Sequence, residues 1–172
     1  MRKVLLASLI ICMLALLSTL SMSVHATPPI YVEGTLVETG FVGLPTVTVV
    51  DGNCIYVGGA YEAYTGSFTG TCVDYWRMIV YKNSVPFSPG GAWIAWGEAT
   101  FTGYVDGKYG TVVWRWVCKG EVFITPGSAT TGHWVLQSGT GELANLRGQG
   151  ILSGTNWPPE LDYSGWIHFE PA

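Results

Sequence analysis

Glu98 and Arg115 are the two residues whose types and spacing could do chemistry together. They flank Asp106-Gly107, a dipeptide suited to a two-residue type I′ turn because both of its positions need positive φ. Pairing Val105 with Lys108 across that turn sets Glu98 opposite Arg115, Gly97 opposite Trp116 and Ala99 opposite Trp114. Arg77, on the preceding strand, falls on the same face as the charge pair. In an apolar cup, a carboxylate and an arginine would orient an oxygenated ligand, with Glu98 as base or polar anchor. The blander alternative is a cross-strand salt bridge on a solvated face, worth about 0–1 kcal/mol. The opposite face, with Trp114 and Trp116 against Ala99 and Gly97, is the natural core and favours that alternative. Which face of the sheet lines a lumen stays open.

Tryptophan is the second resource, with eight in 172 residues. Trp96 on a strand and Trp157 in a Pro-rich loop are the indoles placed to line or rim a ligand pocket. Packing explains the other strand indoles, since a large side chain opposite glycine or alanine fills a barrel. The Gly139 to Gly150 block has the look of a phosphate loop but lacks the Gly-Lys-Ser/Thr ending, and no long helix follows it. His133 and His168 lie in no Ser/His/Asp or Cys/His pattern. The acidic residues are too dispersed to nominate a catalytic pair. Glu98 is thus the one weak catalytic candidate, no cofactor or metal is implied, and the balance leans away from an enzyme.

These residues must be positioned by strands. Ile30 to Thr39, Thr46 to Val50, Cys54 to Tyr64 and Cys72 to Tyr81 alternate apolar and polar side chains, the period of a half-buried strand. The hairpin from Trp93 to Phe123 follows a Pro- and Gly-rich loop over 83–91. His133 to Gln137, Ile151 to Ser153 and Tyr163 to Phe169 complete about eight strands, with Ser138 to Gly150 as a Gly-dense stretch between two of them. Hairpin-connected strands from Cys54 to Phe123 make a meander, and closing a meander removes its exposed edges. The expected fold is all-β: a closed or nearly closed antiparallel β-barrel whose interior is filled by side chains or holds one small ligand.

Residues 1–26 read as a cleaved signal peptide. Arg2 and Lys3 precede an apolar run from Val4 to Leu17, too short for the roughly twenty residues of a spanning helix, and Val24-His25-Ala26 suits a peptidase site. The expectation is a secreted or extracytoplasmic protein with a single barrel domain over residues 27–172 and no integral membrane segment after processing. Arg2 and Lys3 are two of only eight Lys and Arg, against twelve Asp and Glu. The few remaining basic residues are scattered, which argues against nucleic acid as a partner. Of Cys54, Cys72 and Cys118, the strand positions favour a Cys54–Cys118 disulfide, with buried free thiols as the equal alternative. No spacing among them resembles a zinc site.

The run His133 to Gly150 resembles a hallmark of an uncharacterised single-domain barrel family related to the allene oxide cyclase-like and dirigent-like barrels. Gly97-Glu98, Thr102-Gly103 and the Asp106 to Gly110 turn precede that block in the order the family shows, and a closing aromatic strand follows. The resemblance covers roughly Cys54 to Phe169 and implies an antiparallel barrel. It implies little about activity. Related barrels often associate, so a homo-oligomer is compatible with it. The leader, the three cysteines and the tryptophan load depart from the family pattern.

The leading expectation is a non-catalytic binder of a small apolar molecule in the barrel lumen. One alternative is an isomerase or cyclase using a polar group in that pocket. Another is an envelope structural module that meets a protein or glycan through exposed aromatics.

Overall fold

The structure, a computed structural model, describes residues 27–156 and 159–171. Nine strands run in chain order: β1 (Ile30–Phe41), β2 (Thr46–Val50), β3 (Asn53–Gly66), β4 (Phe68–Val80), β5 (Trp93–Val105), β6 (Lys108–Gly120), β7 (Ala129–Gly141), β8 (Leu146–Asn156) and β9 (Pro159–Phe169). Every sequential pair from β2 to β9 is antiparallel, and β1 pairs with both β9 and β3. The result is a closed eight-stranded antiparallel β-barrel. β2 fills out the stave that β1 leaves short: β1 pairs with the second half of β3 and β2 with the first.

Alternation drives this arrangement. Along β5, Trp93, Ala95, Ala99, Phe101 and Val105 are buried while Trp96, Glu98, Thr100, Thr102 and Tyr104 are exposed. The expected register holds across the β5–β6 hairpin, with Glu98 opposite Arg115, Gly97 opposite Trp116 and Ala99 opposite Trp114. Asp106 and Gly107 have φ of 51° and 74°, the left-handed pair that a type I′ turn needs.

Several strands run longer than alternation alone suggests. β7 and β8 extend into the Gly-dense stretch, leaving only a short turn between them. Packing explains those glycines. One hydrogen-bonded row round the barrel reads Gly58, Trp76, Gly97, Trp116, Trp134, Gly150, Gly165. A Cβ on Gly150 would lie 2.5 Å from the Trp134 ring, so the indole lies where a side chain would otherwise stand.

The two ends of the barrel differ. At one end Tyr64, Phe68, Phe101, Trp114, Trp134 and Tyr163 form an aromatic floor, with ring centroids such as Tyr64–Trp114 at 5.1 Å and Phe68–Tyr163 at 5.3 Å. The Tyr163 hydroxyl closes it, donating to the Thr65 carbonyl at 2.9 Å and accepting from the Phe68 amide at 2.7 Å. At the other end lie the longer connections over 81–92 and 121–128, and these, with the 42–45 link between β1 and β2, surround a mouth.

Cys54, Cys72 and Cys118 are buried free thiols. The Cys54–Cys118 bond is therefore corrected: β4 and β5 lie between the two strands that carry these residues. The Cys54 thiol instead donates to the Asn83 carbonyl in the mouth loop.

Candidate functional site

Above the aromatic floor the lumen is hollow. A cavity of about 530 Å³ opens toward the mouth. Tyr56, Trp76, Met78, Trp93, Trp114 and Trp116 are part of its apolar wall, and Phe41, Leu44, Phe87 and Phe123 line it from the connections and strand ends around the mouth. Leu44 is 94% exposed, so the rim presents apolar surface to solvent. Tyr56 anchors one side of the mouth. Its hydroxyl accepts from the Phe87 amide at 2.9 Å, and its ring packs edge-on against Phe87 at 5.3 Å.

One sector of this wall is acidic. Glu38 on β1 lies opposite Glu62 on β3. Asp74 on β4 lies two residues from Cys72, the partner of Glu62, and so is its diagonal neighbour on the same face. All three carboxyls line the cavity, and no Lys, Arg or His does so among the described residues. Tyr64 donates its hydroxyl to Glu62 Oε2 at 2.9 Å, and the Trp116 indole N–H donates to Asp74 Oδ1 at 2.9 Å.

Burial dominates the electrostatics, because a carboxylate withdrawn from water is disfavoured relative to the neutral acid. Burial pushes Glu62 up to about 7, with the Glu38 charge adding and the Tyr64 hydrogen bond opposing. Asp74 rises to about 8, first through burial and then through the Glu62 charge, against the Trp116 hydrogen bond. Glu38 is raised by burial alone. Burial also pushes the Cys72 and Cys118 thiols up, which keeps them protonated and unreactive.

The residues expected from sequence stand elsewhere. Glu98 and Arg115 do meet, with Arg115 Nε 3.2 Å from Glu98 Oε2, but on the outer wall with side chains 54% and 68% exposed. Arg77 is exposed on the same wall, and Trp96 is 39% exposed beside it. Of the two faces left open, the structure places Glu98, Arg115, Arg77 and Trp96 on the solvent face, the parity they share along β4, β5 and β6. Trp157 and the leader over 1–26 lie outside the described residues. Glu62 and Asp74 were missed, although the signal was present. Asp74 shares strand parity with Cys72, Trp76 and Met78, and Glu62 with Tyr56, Ala60 and Tyr64. An acid on the apolar parity of a strand is the mark of a buried carboxyl.

The molecule is thus an eight-stranded antiparallel barrel with an open, mostly apolar lumen that carries three carboxyls. Its fold is similar to the crystal structure of a protein of unknown function from the DUF3224 family of Shewanella oneidensis MR-1. The TM-score is 0.58 and the identity 18%, over 84% of this chain and 100% of that one. At that identity the likeness is one of fold. No family description matches the chain, and no curated protein matches it.

Proposed function

We propose that the protein is a non-catalytic binder of a small apolar molecule held in the barrel lumen. One observation carries this reading: a cavity of about 530 Å³ walled mainly by aromatic and aliphatic side chains and open at one end. That volume lies within the roughly 300–1,000 Å³ typical of small-molecule sites. The apolar rim at Phe41, Leu44 and Phe87 supports access for a poorly soluble molecule, and the leader-like residues 1–26 support an extracytoplasmic setting.

Native mass spectrometry of protein purified from its own host tests the reading. A discrete additional mass is expected, and Ala60→Phe, which extends a ring from the buried β3 wall into the cavity, should remove it. A clean mass for the unaltered protein, with no uptake of added apolar compounds, overturns it.

A second reading, an isomerase- or cyclase-type enzyme, is supported by the acidic sector. A carboxyl held protonated near neutrality in an apolar pocket is a competent general acid, and the resemblance to allene oxide cyclase-like barrels fits such chemistry. Glu62 and Asp74, rather than Glu98, would carry it. Release of a compound chemically changed from the one supplied, in the same spectra, distinguishes the two readings.

A further inference from the structure

Among the described residues the acidic sector has no countercharge. Glu38, Glu62 and Asp74 occupy adjacent positions on β1, β3 and β4, and the two described ion pairs, Arg115–Glu98 and Arg147–Glu170, lie away from them. The groups facing the sector are Tyr64 on β3, Cys72 on β4, and Trp116 and Cys118 on β6. None of these is a cation. Three carboxyls in an apolar wall with no basic side chain must be neutralised by protons or by something that enters.

A second observation points to an occupant. The cavity these carboxyls line has about 530 Å³ of accessible space, enough for a small organic molecule. The Trp76 and Trp116 rings border the acidic sector, and indole faces attract cations.

Resting on the lumen-binding reading, we infer that the ligand is an apolar amine, its ammonium held by Glu38, Glu62 and Asp74. The neutral acids of the empty pocket give up a proton as the ammonium arrives. Binding of the amine therefore strengthens as pH rises through the range in which Glu62 and Asp74 ionise.

Three rigid probes of matched shape test this: 1-aminoadamantane, 1-adamantanol and adamantane-1-carboxylate, titrated into the protein and followed by tryptophan fluorescence. The amine should bind at least tenfold more tightly than the alcohol at pH 8.5, with the carboxylate weakest. Its affinity should rise about tenfold from pH 6 to pH 8.5 while the alcohol's stays flat. The paired substitution Glu62→Gln and Asp74→Asn should erase the preference for the amine, and retained alcohol binding shows that the variant is folded. Equal binding of amine and alcohol, or a preference that survives the paired substitution, overturns the amine inference alone. Failure of all three probes removes the lumen-binding reading, and the inference falls with it.

Discussion

Asp74 is 2% exposed, accepts a hydrogen bond from Trp116, and sits beside Glu62. Its elevated pKa ties stability to pH in a definite direction. Below about pH 4 the carboxyl is protonated in both folded and unfolded chains and contributes no difference. As pH rises from there toward 8, the unfolded chain ionises while the native state holds its proton, so stability falls. The loss by pH 9 should be on the order of a few kcal/mol, or several °C in the unfolding midpoint. Asp74→Asn keeps an oxygen for Trp116 and cannot ionise. Thermal unfolding at pH 5, 7 and 9 should show a marked downward slope for the natural protein and a flatter one for the variant. Identical slopes would mean that Asp74 is charged in the fold.

Strands succeed here where glycines and indoles are matched. A Cβ on Gly150 would fall 2.0 Å from the Ser164 carbonyl oxygen as well as against Trp134, and neither the backbone nor the packed ring can yield cheaply. Gly150→Ala is expected to destabilise by about 1–3 kcal/mol, the usual range for overpacking. Gly40, in β1, has nothing within 4 Å of its Cβ position, and alanine there should be neutral within about 0.5 kcal/mol. Urea denaturation of both variants separates a packing requirement from a general intolerance of substitution. The same contrast explains what could be read from sequence. The β5–β6 register followed from one dipeptide turn and local alternation. The strands through the Gly-dense stretch did not, because glycine lacks strand propensity and the indole that requires Gly150 comes from β7. The acidic sector was equally legible by parity on β3 and β4. It needed the barrel closed, with β1 beside β3, before Glu38 could join Glu62.

At the scale of the whole molecule, the barrel is filled at one end and hollow at the other. No count of tryptophans predicts that division, because it depends on how far each ring leans toward the floor. The mouth also concentrates backbone strain. Phe87 and Ile124 have φ of 58° and 49°, a region costly for bulky and β-branched residues and kept only where surrounding contacts enforce it. For Phe87 the enforcing contact is the hydrogen bond to Tyr56. Tyr56→Phe removes that acceptor, so the Phe87 amide should exchange its hydrogen at least tenfold faster while the β5 and β6 amides keep their protection. Unchanged exchange at Phe87 would show that the loop is held by ring packing alone.

The seam of the barrel joins the first long strand to the last. β1 finds one partner in β3 and the other in β9, and Thr27 clasps Phe169 with two hydrogen bonds at that seam. A chain emerging from its amino end therefore makes β1 long before the strand that must flank it exists. Through that interval β1 and the growing end of the sheet offer unpaired backbone to other chains. Ring closure across nearly the whole length of the polypeptide is also the most entropically demanding contact to form. β9 thus completes the ring, and a chain cut short of it would present a sticky open sheet in place of a vessel.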